Sequence, residues 1–239
     1  MAGILYIVAT PIGNLKDISY RAVETLKNAD IIACEDTRHS LTLLNEYRIN
    51  KPLTSYHKFN EAAAAKKITD KVKEGKNVAV ITDAGTPVIS DPGNLLVKEA
   101  VKEGIKYTVI PGAAAFVNAL VLSGFDASRF VFAGFLPQKN SQRQQLLKKL
   151  AGYDCTLIFY SAPHDVAKDI EVLYKALGER NFAAVAEITK LHERVLFGKL
   201  SEGLPEQPKG EYTLIVEGAA QTENPLNSLS VEDLARWTR

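Results

Sequence analysis

The chain of 239 residues has little of what marks many protein classes, and each shortage removes a class of function. It has two cysteines, Cys34 and Cys155, each in an apolar strand-like run and neither at metal-ligand spacing from a partner, so both read as reduced core residues. Four histidines, at positions 39, 57, 164 and 192, form no HxxxH pair and no Cys/His cluster, so no metal centre is expected. Neither GxGxxG nor GxxxxGK[ST] occurs, which leaves a dinucleotide fold and a P-loop unsupported, and the lack of GxSxG disfavours a hydrolase. The opening Met-Ala-Gly-Ile-Leu-Tyr-Ile-Val-Ala has no basic region before its short apolar run, so neither a signal peptide nor a membrane span is read there and a cytoplasmic protein is expected. An excess of one charge is missing as well. With 29 basic and 28 acidic residues the net charge is +1, so no DNA partner is expected and any polyanion must meet a local patch.

What is present is an alternation of short apolar runs with amphipathic segments. Ile4 to Ala9 reads as a strand, Tyr20 to Asn28 as a helix, Asp30 to Glu35 as a strand and Ser40 to Tyr47 as a helix. A strand at Leu53 to Tyr56, a helix at Glu61 to Glu74, a strand at Asn77 to Thr82, a helix at Leu95 to Glu103 and a strand at Tyr107 to Ile110 continue the pattern. This is the grammar of a mostly parallel sheet covered on both faces. A small-residue helix, Ala113 to Leu122, closes this half. From Arg129 the texture changes, with strands at Phe130 to Gly134, Thr156 to Tyr160, Ala183 to Glu187, Arg194 to Leu200 and Glu211 to Glu217. Only two helices intervene, Ser141 to Leu150 and Asp165 to Leu177, which argues for a mixed sheet with antiparallel pairs. The expected organisation is an α/β protein of two domains, 1–124 and 125–220, followed by a polar tail, 221–239, with a short helix at Val231 to Trp237.

Chemistry concentrates at the strand ends. The loop Asp83-Ala-Gly-Thr-Pro-Val-Ile-Ser-Asp-Pro-Gly93 follows a buried strand, and in open α/β sheets ligands collect beyond the carboxyl ends of the strands. Thr10-Pro-Ile-Gly-Asn14 follows the first strand and precedes a helix that Ser19 is placed to cap; it suits a ligand-facing turn and an ordinary tight turn equally. Cys34-Glu-Asp-Thr-Arg38 ends the second strand, where Asp36 fits either a general base or the cap of the next helix. Tyr56-His57-Lys58, with Asn60 and Glu61 beyond, brings an imidazole and an amine to a third strand end. Ile110-Pro-Gly-Ala-Ala-Ala115 suits a ligand pressed on backbone or a tightly packed helix. Lys139, Arg143, Lys148 and Lys149 lie in a stretch without an acid, which suits phosphate contact or a solvated basic face.

Taken together, Ala9-Thr-Pro-Ile-Gly-Asn-Leu-Lys-Asp-Ile, Cys34-Glu-Asp-Thr-Arg, the 83–93 loop and Gly134-Phe-Leu-Pro closely resemble the ribosomal RNA small subunit methyltransferase I family, within the tetrapyrrole methylase fold. Tyr160 with Ala162-Pro-His164, Glu187-Ile-Thr-Lys190 with His192-Glu193, and Lys209-Gly-Glu211 match too, so the resemblance runs from about Gly3 to Gly218. It implies a homodimer with S-adenosylmethionine in a cleft between the two domains, and methyl transfer to a cytidine ribose 2′-oxygen in the decoding centre of 16S rRNA or the 30S subunit. By position it places the cofactor against Pro11, Ile12, Ala84, Gly85, Thr86, Ile89, Ala114, Ala115, Ser161, Glu187, Ile188 and Thr189. Asp36 falls where relatives carry a proton acceptor, and Lys58 is the nearest match to its lysine partner. Three departures from the family are visible: Ala114 stands where a hydroxyl is usual, Asp165 where an arginine is common, and the sequence stops at Arg239 before a helical tail that many relatives have.

On this resemblance Asp36 is expected to take the ribose proton, with Lys58 or Arg38 steadying the developing alkoxide or a neighbouring phosphate. RNA contacts are expected from Lys139, Arg143, Lys148 and Lys149, with Arg38 deeper in the cleft. A methylase of the same fold acting on a tetrapyrrole or other small substrate, or a non-catalytic module that binds S-adenosylmethionine or the ribosome, are the rival readings.

Overall fold

A computed structural model describes residues 2–205 and 207–220; the expected tail with its helix at 231–237 lies outside the described residues. Among the described residues, ten strands form two five-stranded sheets. The first contains β1 (Leu5–Val8), β2 (Ile31–Cys34), β3 (Leu53–Ser55), β4 (Val78–Val80) and β5 (Tyr107–Ile110), all parallel, in the order β3-β2-β4-β1-β5. Each strand is short and aliphatic because both faces are covered. On one face α1 (Tyr20–Asn28) and α2 (Thr37–Glu46) bury Ala22, Leu26 and Leu44 against Val8, Ile32 and Ile81. On the other, α3 (Glu61–Lys73) and α4 (Asn94–Lys102) bury Ala65, Ile68, Val72 and Leu96 against Leu5, Ile7 and Val80.

The second sheet contains β6 (Phe130–Phe135), β7 (Thr156–Ser161), β8 (Asn181–Ala186), β9 (Arg194–Lys199) and β10 (Tyr212–Val216), in the order β6-β7-β10-β8-β9. It is mixed as the sequence suggests: β6 and β7 are parallel, and the other three pairings are antiparallel. Side chains alternate between its faces. Leu157, Phe159 and Leu214 meet α6 (Asn140–Leu150) and α7 (Val166–Leu177) through Leu147, Leu150, Ile170 and Leu173. Ile158, Val185 and Ile215 face the opposite way and meet Ala119 and Leu120 of α5 (Ala115–Ser123). Thus α5 follows β5 in the chain, yet it packs on the second sheet and ties the halves together. Truncating a fully buried ring such as Phe159 or Phe182 would cost roughly 3–5 kcal/mol.

Two details differ from the sequence reading. The second helix begins at Thr37, three residues before the expected Ser40, because Asp36 caps it: its carboxylate accepts from the Arg38 backbone N–H at 2.8 Å. Cys155 is half-buried just before β7 and is no core residue, although both cysteines are free. Ser19 caps α1 as expected, accepting from the Ala22 N–H at 3.1 Å. Among the described residues, no helix is long and apolar enough to cross a membrane.

Candidate functional site

Because β1 lies between β4 and β5, the loops that follow these three strands are neighbours at the carboxyl edge of the sheet, where an open α/β fold gathers its ligands. They are laced together. Thr10 and Gly85 exchange backbone hydrogen bonds of 2.8 and 3.1 Å, and the Thr10 hydroxyl donates to the Thr82 carbonyl at 3.1 Å. Thr86 donates its hydroxyl to the Ala113 carbonyl at 3.2 Å. Gly85 has φ +85°, and a Cβ there would stand 3.4 Å from Ile12 Cγ2, so only glycine makes this bridge without strain.

The second sheet completes the opposite wall through its strand register. Phe135 pairs with Tyr160, and Tyr212 pairs with both Ser161 and Ala186, so the ends of β6, β7 and β8 and the start of β10 share one edge. Between the two edges lies a cleft of about 450 Å³, within the range usual for small-molecule sites. Nine of the residues expected at the cofactor line it: Ile12, Ala84, Gly85, Thr86, Ile89, Ala114, Ala115, Ser161 and Ile188. Pro11, Glu187 and Thr189 stand outside the lining. Pro11 is buried. Glu187 accepts from the Glu211 N–H at 2.9 Å and from Lys190 Nζ at 3.0 Å, which sets Lys190 in the lining. Thr189 Oγ1 is buried with no protein partner, close against Gly13.

The expected acid and base residues fall elsewhere. Asp36 Oδ1 is committed to the Arg38 N–H and Oδ2 to the Arg38 guanidinium at 3.3 Å, and that guanidinium with its backbone N–H holds the Asp36 carboxyl below its usual range. The Arg38 side chain is 89% exposed, so it sits at the surface and not deep in the cleft as expected. Lys58 is exposed in the turn after β3, the outermost strand of the sheet, roughly 10 Å from β4 at about 4.8 Å per strand.

Besides Glu211, which pairs with Lys190 at 3.1 Å on the side of the second sheet, the carboxylates that line the cleft are Glu35, Asp83 and Asp91. The sheet order explains this, since β2 adjoins β4: Glu35, at the end of β2, accepts from the Thr82 hydroxyl at 3.3 Å, and Asp83 accepts from the Asp36 N–H at 3.3 Å. Asp91 is carried by the far arm of the 83–93 loop, where Val88 (φ +79°) and Ser90 (φ +64°) both adopt the left-handed region. For a β-branched residue that conformation is an outlier, and each such position costs of order 1–3 kcal/mol. Burial pushes the Asp91 carboxyl up to about 6; a hydrogen bond with Thr82 opposes this, and the charges of Glu35 and Asp83 add to it. The sequence contained a signal for Glu35 and Asp91, two carboxylates at strand-end loops, but not for their convergence. Among the described residues no group of His, Cys, Asp and Glu is arranged to hold a metal ion.

Aromatic rings flank the carboxylates. Phe116, Phe135 and Tyr160 line the cleft, with Phe132 stacked on Phe116 at 4.5 Å and edge-on to Tyr160 at 4.9 Å. Tyr160 accepts from the Phe116 N–H at 3.3 Å, and its ring is 5.5 Å from that of Phe135, which is 57% exposed at the opening. A small polar pocket adjoins through the shared Phe135 and Ala162; Arg143, Lys168 and Gln138 line it, together with Asp165 and Asp169. The basic residues of α6 are therefore divided. Arg143 is beside the cleft with Lys139 one turn before it, whereas Lys148 and Lys149 are exposed in the last turn, about 15 Å along the helix from Lys139.

Comparison with known proteins agrees with this architecture. The model of the tetrapyrrole (corrin/porphyrin) methylases matches residues 4–203. The chain is 46% identical over 231 residues to the ribosomal RNA small subunit methyltransferase I of Haemophilus influenzae, covering 94% of this chain and 82% of that protein. It is 43% identical over 220 residues to the protein of the same name from Thermotoga maritima, covering 90% and 99% respectively. Among solved structures, the methyltransferase CobJ superposes with a TM-score of 0.70 at 19% identity, over 93% of this chain and 97% of that one, a likeness that concerns the fold alone.

Proposed function

The chain belongs to the tetrapyrrole methylase family, among the ribosomal RNA small subunit methyltransferase I proteins, and from that premise we propose that it methylates a cytidine ribose 2′-oxygen of 16S rRNA with S-adenosylmethionine. The observation that carries this reading is the composition of the cleft: a wall of small and aliphatic residues joined to four carboxylates and an aromatic opening. The cleft residues fit a sulfonium cofactor. Ile12, Ile89 and Ile188 offer apolar surface, Ala84, Gly85, Ala114 and Ala115 admit close approach to backbone, and Glu35, Asp83 and Asp91 complement a positive charge.

S-adenosylmethionine supplies an electrophilic methyl group; the protein has to align the ribose oxygen and remove its proton. Alignment of well-oriented groups corresponds to effective molarities of roughly 10⁵ M or more. Asp91 is the proton acceptor in this proposal, because it lines the cleft and its carboxyl is pushed up to about 6, while Asp36 has both oxygens bound to Arg38. Asp36 then fixes the start of α2 and steers Arg38 at the surface. Phe135 and Tyr160 offer faces on which an unstacked base can lie, and Arg143 with Lys139 is placed for an adjoining phosphate. Lys148 and Lys149 extend the basic track along α6. Two domains, 1–124 and 125–220, flank the cleft, with α5 of the first packed on the sheet of the second.

The homodimer belongs to the same proposal. Its support is apolar surface left open along successive elements: Val109 on the free edge strand β5, Val117, Val121 and Leu122 on α5, and Phe130 on β6 are all well exposed. A tetrapyrrole substrate is the weaker reading, since carboxylates at the inner cleft repel the carboxylate side chains of such macrocycles.

The test is incubation with labelled S-adenosylmethionine and 30S subunits lacking the modification, followed by nuclease digestion and mass mapping. Label on a cytidine ribose of the decoding region supports the proposal. Cofactor binding with no label on subunits or naked rRNA refutes it.

A further inference from the structure

The segment Tyr56-His57-Lys58-Phe59-Asn60-Glu61 carries polar groups that the proposed reaction leaves without a task. Its turn is self-contained: Asn60 accepts from the His57 N–H at 2.9 Å and donates to the Ser55 carbonyl at 3.2 Å, and His57 Nδ1 accepts from the Phe59 N–H at 3.2 Å. Its last residue is not. Glu61 Oε1 accepts from the Gly93 N–H at 3.0 Å and the Leu95 N–H at 3.2 Å, and from the buried Tyr56 hydroxyl at 3.1 Å.

Gly93 is the N-cap of α4 and has no side chain to satisfy the orphan N–H groups of that helix. A carboxylate from α3 does so in its place, across the packed pair of helices. Gly93 is also the end of the 83–93 loop. The loop thus has two arms with different fastenings. The near arm, 84–86, is held by the Thr10 bridge and the Thr86 to Ala113 bond. The far arm, 88–93, is held by its own turn, Val88 N–H to the Pro92 carbonyl at 3.3 Å, by Ile89 N–H to the Thr86 carbonyl at 3.3 Å, by the Asp91 hydrogen bond with Thr82, and by the Glu61 contact at its end.

We propose that Glu61, oriented by Tyr56, is a positioning residue that fixes the far end of the loop, and with it Ile89 and Asp91, while the near arm is held by its own bonds to Thr10 and Ala113. The inference rests on the methyltransferase reading for its kinetic consequence and on geometry alone for its structural one. Glu61→Ala leaves the N–H groups of Gly93 and Leu95 uncapped and releases the end of the arm that carries the two left-handed residues, Val88 and Ser90.

The experiment is amide hydrogen exchange on the full chain, paired with calorimetric titration of S-adenosylmethionine and single-turnover methyl transfer to 30S subunits. In Glu61→Ala, exchange over 88–95 rises by about fivefold or more, the size of a lost cap, while 84–87 is unchanged. Cofactor affinity falls by no more than a few-fold, through Ile89, while the transfer rate falls about tenfold or more, a split that uniform destabilisation does not produce. Glu61→Gln, which keeps the acceptor oxygen, recovers most of both. Should the alanine variant not fold, Tyr56→Phe removes the orienting hydroxyl and shifts exchange in the same arm in the same direction. Equal exchange in both arms, no change in either, or parallel loss of affinity and rate overturns the proposal. If the wild-type protein transfers no methyl group, the functional reading fails while the exchange pattern still decides the role of Glu61.

Discussion

Asp91→Asn removes the proposed proton acceptor while keeping the shape of the side chain, and titration of the cofactor separates that loss from the loss of one negative charge. The carboxyl sits at about 6, so roughly ten in eleven molecules are deprotonated at about pH 7 and one in eleven at about pH 5. Activity of the wild-type protein should therefore climb close to tenfold per unit below about pH 6 and level off above it. A positioned proton acceptor is worth about 10² to 10⁴-fold, so the amide should lose at least about 10²-fold on the plateau and should lose the acid limb with it. Stability moves the other way. A carboxyl raised from 3.8 to about 6 binds its proton more tightly in the folded protein, so folding stability falls as pH rises between these values. The amide of the Asp91→Asn variant carries no charge to bury beside Glu35 and Asp83, so the variant's Tm should exceed the wild-type value above about pH 7 and match it near pH 4. The assay is single-turnover methyl transfer to 30S subunits from about pH 5 to about pH 8.5, with cofactor affinity titrated at each point. A rate within about threefold of wild type and an unaltered acid limb would refute the reasoning.

Three further substitutions test neighbouring parts of the account. Asp36→Ala removes a helix cap and an exposed ion pair, so it should lower Tm slightly and leave the acid limb in place; loss of that limb would return the proton to Asp36. Gly85→Ala forces a side chain into φ +85°, at a cost of roughly 1–2 kcal/mol, and adds a methyl group to the cleft wall against Ile12, so thermal melting and cofactor titration should both weaken. Arg143→Ala should flatten the salt dependence of 30S binding by about one unit and slow transfer, whereas Lys148→Ala with Lys149→Ala should flatten it by up to about two units and spare the single-turnover rate; unchanged slopes in both would exclude α6 from the RNA contact.

The order and kind of the elements were legible in the chain because their causes are local. Aliphatic runs such as Leu5–Val8 and Val78–Val80 pack on both faces and so are apolar throughout, and Ser19 ahead of Tyr20–Asn28 fixes a helix start by a contact three residues long. The change of texture near Phe125 also marked the passage from a parallel to a mixed sheet. Even the strand-end loops were visible, because glycine, proline and small residues at those places suit close backbone approach. What the chain alone left undecided was which loops meet. That depends on lateral strand order, and β3-β2-β4-β1-β5 follows from pairings between residues that are 21 to 102 positions apart. This order puts Lys58 on the outer strand and away from the cleft, brings Glu35 to Thr82 across 47 residues, and gathers Asp83 and Asp91 beside them. It also allows Glu61 to cap a helix 32 residues away, a contact invisible to any motif. Asp36 shows the limit most simply: a carboxylate two residues after a strand fits a base or a cap alike, and only the position of Arg38 in three dimensions commits its oxygens.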